Sequence, residues 1–412
     1  MRRSAFVATA IVLAFVATVP GARAADAAFA AKGTPTAPRT AKVRDVCPTA
    51  APNHVRCYSE VRTDLATSGK GIRAADKPPH GYSPADLRSA YNLPTTGGDT
   101  QTIALVDAGD GVGAEADLAV YRQTYGLPAC TTANGCFRKV NQDGKIAPLP
   151  DDLGWGVEIS LDLDMASAAC PACKILLVES NQPTEEDLAA AENTAAALGA
   201  TEISNSYGGV ETSVSSQFAA AYNHPGIAIT VSSGDSGYVT AQDPASFTSV
   251  IAVGGTTLSK AANTRGWTET AWGPTAANGY FSAGGSGCSA WVDKPAWQHD
   301  TDCPGRTASD ISAVGDPATG LAVYNTSDAD GWIVVGGTSA SSPFVAGVIG
   351  LSGHPERNVT AANLYAHATA LNDVTTGTNA FGRDCGDSYM CNAKPGYDAP
   401  TGLGTPNGLG AF

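Results

Sequence analysis

Residues 336–343 read GGTSASSP and directly follow a short apolar run, 333–335, of the kind that forms a buried strand. The apolar, small-residue segment after them predicts a helix with Pro343 in its first turn. Ser339 would then lie at a helix N-terminus, where unpaired backbone N–H groups and the positive end of the helix dipole can stabilise an oxyanion. The stretch therefore favours a serine nucleophile for acyl transfer. The alternative is that Thr338 or Ser339 only caps the helix.

Further apolar runs precede this stretch, and helical segments separate several of them. One such segment, 185–198, has Thr184 as a suitable N-cap and acidic residues in its first turn. The alternation predicts an α/β fold with a mostly parallel central sheet, helices on both faces and one domain. Ligands bind beyond the carboxyl ends of such strands, so the loops after the runs are where chemistry is expected. The runs are 103–106, 175–178, 203–206, 227–231, 250–253 and 321–324.

A serine nucleophile needs a base, and histidine, the usual one, is poorly placed in this sequence. His54 and His80 precede the first predicted strand, and His224 and His354 each lie next to a proline. His299 and His367 lie in polar or helical surroundings without a glycine-framed motif. Glu158 and Asp162 instead stand four residues apart, on one face of a predicted helix with apolar residues between them. If the pair is partly buried, the carboxyls share a proton and one pKa rises, so Glu158 can accept the serine proton while Asp162 orients it. The alternative is a solvated acidic face.

A third motif, SGDSG at 233–237, follows another apolar run. A carboxylic acid that its surroundings keep protonated can donate a hydrogen bond to a developing oxyanion, and Asp235 is the candidate for that role. The alternative is an aspartate that only stabilises a turn between two glycines.

Along the chain, the Glu158–Asp162 pair comes first, SGDSG second and GGTSASSP third, and no usable histidine accompanies them. This combination resembles the sedolisin family of serine-carboxyl peptidases, whose members have a subtilisin-like fold and act at acid pH. The resemblance extends from YSPADLRSAYNL at 82–93 to TGLGTP at 401–406. It implies that Ser339 is the nucleophile in a G-T-S-x-S-x-P motif and that Glu158 is the general base, with Asp162 as its partner. It also implies that Asp235 is the acid of the oxyanion hole.

The same resemblance implies a substrate strand and a metal site. An extended peptide would pair with the chain at Ser206, Tyr207 and Gly208. One Ca²⁺ ion would lie near the C-terminus, bound by hard oxygen ligands. Those ligands would be the side chains of Asp373 and Asp398 and the carbonyl oxygens of Val374, Lys394 and Gly396.

Three positions depart from the family pattern or carry no role in it. Lys394 stands where the family often has glycine, and its ammonium group would weaken metal binding if it pointed inward. The pair Ser309-Asp310 replaces a common proline-aspartate, which we expect to affect a turn and not the chemistry. Asp107 matches the aspartate of histidine-dependent subtilases, but the matching histidine is missing, so no catalytic role is assigned to it.

The N-terminal part of the chain indicates secretion. Arg2 and Arg3, an apolar run over 5–19 and an Ala-Arg-Ala sequence at 22–24 form a signal peptide, 1–24, with a small-residue cleavage site. Residues 25–80 lack sustained periodicity and form a short pro-segment or linker, and 81–412 form the peptidase domain. Precursors in the family usually carry a long folded pro-domain, so we expect activation to differ here.

Ten cysteines fall into five sequence-local pairs, which suits an oxidising compartment, and local disulfide pairing is our hypothesis. Cys170 and Cys173 have the spacing of a redox motif but close a predicted helix rather than open one, which argues against redox chemistry. The pairs are Cys47 with Cys57, Cys130 with Cys136, Cys170 with Cys173, Cys288 with Cys303, and Cys385 with Cys391.

Composition narrows the class of function. Thirty-nine acidic residues against 25 basic ones give a net charge of −14 with both signs interspersed, so nucleic acid is not an expected partner. No stretch after the signal is long enough to span a membrane. We therefore predict a secreted, monomeric endopeptidase that acts on polypeptides at acid pH. The alternatives are a non-catalytic secreted protein that binds through the same fold, an aminoterminal exopeptidase and a histidine-dependent subtilase, which the histidine positions disfavour.

Overall fold

Short apolar strands that are buried on both faces form the core of the molecule, as expected for a parallel sheet covered by helices. The computed structural model describes residues 41–51, 54–65, 80–213, 215–275, 279, 281–353, 359–381, 383 and 385–412. The predicted signal peptide, 1–24, lies outside the described residues. The helices are α1 Pro84–Ala90, α2 Ala114–Thr124, α3 Gly156–Ala169, α4 Glu185–Ala197, α5 Thr338–Ser352 and α6 Ala361–Ala366, with 3-10 helices at Thr132–Asn134, Ser215–Tyr222, Pro317–Thr319 and Ala368–Ala370. The strands are β1 Val43–Asp45, β2 Arg56–Cys57, β3 Glu60–Arg62, β4 Thr102–Ala108, β5 Phe137–Asn141, β6 Lys174–Ser180, β7 Glu202–Asn205, β8 Tyr207–Val210, β9 Ala228–Ser232, β10 Ser236–Thr240, β11 Gln242–Asp243, β12 Ile251–Lys260, β13 Trp267–Ala271, β14 Ala283–Asp293, β15 Gly305–Ala308, β16 Ile311–Val314, β17 Leu321–Asn325 and β18 Gly331–Gly336.

The central sheet has the strand order β13-β12-β9-β7-β4-β6-β5, and β16 also pairs with β12. Its pairs are parallel except for β12 with β13. Helix α4 packs against β6 and β4, and α5 packs against β7 and β9. The predicted α/β class with a mostly parallel central sheet is confirmed. The predicted N-cap of α4 is also confirmed, since the Thr184 side chain accepts a hydrogen bond from Asp187 N–H.

Two of the apolar runs, which became β17 and β18, lie outside the central sheet. They pair with each other antiparallel, and β18 also pairs antiparallel with β3, which continues to β1. The loop from 326 to 330 is too short for the crossover of a dozen residues that parallel pairing requires. Strands β1 and β3 thus extend the sheet whose strand β18 leads directly to the helix that carries Ser339.

Helices α3 and α5 pack against each other at close range, because small residues line their contact. A Cβ atom on Gly347 of α5 would lie 2.6 Å from the Cβ of Ala169 on α3. Every residue of α3 is buried, including its acidic residues. The sequence prediction for Pro343 was wrong by one turn, because α5 begins at Thr338 and Pro343 lies in the second turn.

The hypothesis of sequence-local disulfides is confirmed, since all five predicted pairs are bonded. One of them joins Cys170, at the end of α3, to Cys173. In the described part of the chain, no helix combines the length and the apolar character needed to cross a membrane.

Two buried acids away from Ser339 make the fold sensitive to pH. Burial raises the pKa of Glu192, on α4, and of Glu202, at the start of β7, to about 8 in each case. The unfolded chain releases these protons near the ordinary glutamate pKa. Between those two values the folded state binds more protons than the unfolded state, so stability must fall as pH rises.

We therefore expect the free energy of unfolding to decrease between pH 5 and pH 8. Glu192→Gln and Glu202→Gln should each reduce that decrease by on the order of 1 kcal/mol or more, because one pKa unit corresponds to about 1.4 kcal/mol. Urea unfolding at pH 5, 6.5 and 8 measures it. The exposed Glu186, also on α4, provides the matched control Glu186→Gln, which should leave the slope unchanged. If neither Glu192→Gln nor Glu202→Gln changed the slope of the free energy of unfolding against pH, the raised pKa values of these two glutamates would be contradicted.

Candidate active site

Ser339 lies in the first turn of α5 and is fully buried. Its Oγ donates to the Ser206 carbonyl oxygen at 3.0 Å and accepts from the Tyr58 N–H group at 3.0 Å. Pro343 has no N–H group to donate to the Ser339 carbonyl oxygen four residues before it, so that oxygen stays available. The Ser206 hydroxyl lies 3.2 Å from it. The helix start is therefore tied to the chain just before β8.

Glu158 and Asp162 project from α3 into the same buried region. Burial raises the pKa of both carboxyls well above the usual range, and the neighbouring side chains of Ser339 and Ser59 oppose the rise at Glu158. Ser59 N–H donates to Glu158 Oε2 at 3.1 Å, and the Ser206 hydroxyl donates to Asp162 Oδ1 at 2.8 Å. The structure thus brings together Ser339, Glu158 and Asp162, and it buries the acidic pair instead of exposing it as a solvated face.

Asp107 is a member of this cluster to which the sequence assigned no role. It lies near the carboxyl end of β4, is fully buried, and raises the pKa of both Glu158 and Asp162 in addition to the effect of their burial. Burial, together with the nearby Glu179, raises the pKa of Asp107 itself to about 8. Among the described residues, neither Asp107 carboxyl oxygen has a hydrogen-bond partner. The position of Asp107 near the carboxyl end of a central strand is the sequence feature that could have identified it as part of the site.

Asp235 follows β9 and faces the start of α5. Its Oδ1 accepts from Thr338 N–H at 2.9 Å and from the Thr338 hydroxyl at 2.8 Å. Burial raises the pKa of Asp235 to about 7, even though the bonds from Thr338 lower it. Its Oδ2 is buried and has no hydrogen-bond partner within the described ranges. A protonated Oδ2 is therefore free to donate at any pH below about 7.

Gly337 leaves open the space in front of Asp235 and Ser339. The backbone there has φ +108°, a conformation that favours glycine. A Cβ at this position would lie 2.9 Å from Asp235 Oδ2 and 1.8 Å from the Tyr58 carbonyl oxygen. The site therefore contains a small space beside a carboxyl oxygen of Asp235, and in this structure the Tyr58 carbonyl group enters it.

The predicted substrate residues Ser206, Tyr207 and Gly208 lie where the chain enters β8 and along that strand. β8 pairs antiparallel with β11 on one side and with β2 on the other. The strand partner at the site is thus a part of the same chain, from the segment 25–80 that the sequence marks as a pro-segment or linker. The boundaries of that segment and of the peptidase domain stay predictions.

The residues suggested for calcium lie together in the C-terminal loops. The Asp398 carboxyl is buried and accepts from Lys394 N–H at 2.9 Å, and the Asp373 carboxyl accepts from Gly396 N–H at 2.9 Å. Burial, with a smaller effect of Asp373, raises the pKa of Asp398 to about 7. The Lys394 ammonium group is ion-paired with Asp387 at 3.1 Å. In the described ranges, no group of three or more His, Cys, Asp or Glu side chains could hold a metal ion.

Comparison with known proteins identifies the class of protein to which this fold and site correspond. The sequence model of the subtilase family matches residues 151–386, more than half of the chain. Pseudomonas sedolisin, a serine-carboxyl proteinase solved in complex with two molecules of pseudo-iodotyrostatin, superposes with a TM-score of 0.67 at 26% identity. That superposition covers 80% of this chain and 96% of the sedolisin chain. The chain therefore belongs to the subtilase family and, within it, to the sedolisin family.

Two curated relatives have similar sequences. Kumamolisin from Bacillus sp. (strain MN-32) is 29% identical over 371 residues, which are 82% of this chain and 64% of kumamolisin. Sedolisin from Pseudomonas sp. (strain 101) is 35% identical over 172 residues, which are 39% of this chain and 28% of sedolisin. The chain thus spans less than two thirds of the length of these relatives.

Proposed function

We propose that this chain is a secreted serine-carboxyl endopeptidase that hydrolyses peptide bonds at acid pH through an acyl-enzyme on Ser339. The position of Glu158 carries the proposal, because its buried carboxyl lies beside the Ser339 hydroxyl and accepts a hydrogen bond from a peptide N–H group. Membership of the sedolisin family supports the same chemistry. The five disulfides and the apolar N-terminal run support secretion.

The hydrogen bonds suggest which carboxyls hold protons. Ser59 N–H donates to Glu158 Oε2, and the neighbouring Ser339 and Ser59 side chains also lower the pKa of Glu158. Asp162 has the Ser206 hydroxyl as its donor. Protons shared in the cluster therefore belong mainly on Asp162 and Asp107, and Glu158 is left to act as the base. Glu158 takes the Ser339 proton during attack and gives it to the leaving nitrogen.

One observation favours an endopeptidase over an aminoterminal exopeptidase. An extended chain passes Ser339 and continues on both sides, paired with β8 before it and with β18 after it. A cleft that holds several residues on each side of the nucleophile can accept the interior of a polypeptide.

Among the described histidines, none is hydrogen bonded to Ser339, which gives no support to a histidine-dependent mechanism.

Ser339→Ala and Glu158→Gln should each lower kcat/KM by about 10³-fold or more, because a missing nucleophile or base removes the covalent route. The measurement is hydrolysis of a denatured casein-like protein at pH 4. Glu186→Gln, which removes an exposed acid on α4, is the control. A product ladder from one long peptide separates internal cleavage from stepwise removal at the N-terminus. Undiminished activity in either site variant would refute the proposal, and no activity in any form would favour a binding protein.

The pH profile tests the role of Asp235. With a pKa of about 7, its carboxyl is protonated and donates to the oxyanion at acid pH, and it loses that proton as pH rises through 7. Asp235→Asn keeps a donor at every pH, so its activity should decline at higher pH than that of the wild type. Asp235→Ala should lose on the order of 10²-fold in kcat at pH 4. If the activity of the wild type and that of Asp235→Asn declined at the same pH, Asp235 would not have this role.

The loop residues are chemically suited to the Ca²⁺ ion that the family implies. Burial and, to a smaller extent, Asp373 raise the pKa of Asp398, so a dication would stabilise its ionised form, and hard oxygen atoms are what calcium takes. Asp373 and Asp398 would bind through side chains, and Val374, Lys394 and Gly396 through carbonyl oxygens. The ion pair with Asp387 engages the Lys394 ammonium group, which removes the expected conflict. Calcium would act here by stabilising the loops.

Calcium should raise the melting temperature of the wild type and chelation should lower it, because a ligand bound only to the folded state stabilises that state. At a concentration of 100 times Kd the gain is about 2.7 kcal/mol. Thermal melting with and without calcium measures it. The Asp398→Asn variant should have the same melting temperature with and without calcium. If calcium raised the melting temperature of this variant as much as that of the wild type, the ion would bind elsewhere.

A further inference from the structure

The N-terminal segment in the groove shows where the residues of a bound peptide lie around the reacting bond. Tyr58 N–H donates to Ser339 Oγ at 3.0 Å. On the next residue, Ser59 N–H donates to Glu158 Oε2 at 3.1 Å. The peptide bond between these two residues therefore lies beside the nucleophile and the base. Glu60 is the second residue on the leaving-group side of that bond.

The side chain of Glu60 points into the protein and not into solvent. The residue is 1% exposed, and its strand partner on β18 is Gly336. The Ser282 hydroxyl donates to Glu60 Oε2 at 2.6 Å. The space that the Glu60 carboxyl occupies beside Ser282 is the Ser282 subsite.

The strand that follows Ser282 holds its hydroxyl in place. Ser282 is 3% exposed and directly precedes β14, whose first residue, Ala283, pairs with Ser236 at the start of β10. Ala283 N–H also donates to the Asp235 carbonyl oxygen at 3.3 Å. The hydroxyl therefore has a fixed position next to the chain that carries the proposed oxyanion acid. It belongs to the wall of the groove and not to the segment that lies in the groove.

The groups around the Ser282 subsite favour an uncharged side chain. Burial, followed by the charge of Asp235, raises the pKa of the Glu60 carboxyl well above the usual range. The Ser282 hydroxyl and Arg56 lower that pKa, and Asp45 raises it further. Arg56 and Asp45 lie on β2 and β1 of the N-terminal segment, so burial, Asp235 and Ser282 are the influences that remain for a peptide in its place. Burial and an adjacent acid both oppose a negative charge.

Two common side chains of the right length present an uncharged acceptor. A glutamine and a protonated glutamate each place a carbonyl oxygen where Glu60 Oε2 lies, and each can accept the hydrogen bond from Ser282. An ionised glutamate would bring a buried charge next to Asp235, and a leucine would leave the buried hydroxyl without this acceptor. The subsite therefore discriminates by charge as well as by hydrogen bonding.

We propose that Ser282 is a specificity-determining residue that selects glutamine or protonated glutamate at the second position after the cleaved bond of a substrate. The inference rests on the proposed function, in which a substrate polypeptide lies in the groove where residues 56–62 lie in this structure. It defines the preferred substrates as polypeptides with a carboxamide, or a carboxyl group that acid keeps neutral, at that position.

Peptides that differ only at this position test the selection. They are variants of one peptide that the wild type cleaves at a single bond, which mass spectrometry identifies. At pH 4, glutamine should give the wild type a kcat/KM roughly 3- to 10-fold above that of leucine, the effect of one neutral hydrogen bond. Ser282→Ala should remove most of this ratio. Ser286→Ala is the matched control and should keep the ratio, because it removes a different buried hydroxyl, which donates to the Met390 carbonyl oxygen.

Two results of this experiment would overturn the proposal. One is an equal kcat/KM for the glutamine and leucine peptides in the wild type, a comparison that does not depend on the folding of any variant. The other is a glutamine-to-leucine ratio in folded Ser282→Ala that equals the ratio of the wild type. Thermal melting of Ser282→Ala and Ser286→Ala shows whether each variant is folded.

The pH dependence separates glutamate from glutamine. A free glutamate side chain has a pKa of about 4.3, so its protonated fraction falls about 30-fold between pH 4 and pH 6. The kcat/KM of the glutamate peptide divided by that of the glutamine peptide should fall by about the same factor. The ionisation of Glu158 and Asp235 affects both peptides and cancels in this ratio. A ratio that stays constant from pH 4 to pH 6 would overturn the selection of the neutral form.

The outcomes distinguish failure of this inference from failure of the function on which it rests. Hydrolysis of all the peptides with equal kcat/KM overturns the role of Ser282 and leaves the peptidase assignment standing. If the wild type cleaves no peptide and no denatured protein at pH 4, the proposed function is refuted and the specificity with it.

Discussion

Packing α3 against α5 removes Glu158 and Asp162 from water, and the cost of burying their charge controls the rest of the site. A carboxyl in a low-dielectric region keeps its proton to higher pH unless a positive charge or hydrogen-bond donors compensate. At Glu158 and Asp162 the compensation consists of hydroxyl and N–H donors rather than cations. The cluster therefore holds protons at a pH where exposed acids are ionised, which suits proton transfer under acid conditions.

The site and the N-terminal segment depend on each other. Residues 56–62 supply N–H donors to Glu158 and to Ser339, so the chain itself stabilises the buried base in its ionised form. In return, β8 and β18 give that segment strand partners on both sides. The segment is too short to have a core of its own, and its order comes from the groove that it occupies.

The sequence predicted the fold class because the buried strands are apolar runs, and it singled out Ser339, Glu158 and Asp235 because their motifs are compact. It could not predict the antiparallel place of β17 and β18 from apolar runs alone, although the short connection between them was a signal. The placement of β1, β2 and β3 was also missed, since these strands are two or three residues long and β2 and β3 pair with strands distant in sequence. Asp107 was passed over because its role comes from proximity in space.

The disulfides close small rings, with cysteines at most 15 residues apart in sequence. Such rings restrain the unfolded chain much less than long ones would. They brace individual loops, and no sulfur bridge connects distant parts of the polypeptide. A backbone nick outside a ring consequently yields two pieces joined by noncovalent contacts alone. Since Cys47 bonds to Cys57 and the next ring begins at Cys130, a nick between Cys57 and Cys130 would leave the N-terminal piece without a covalent link to the rest, and that piece could depart without any reductant.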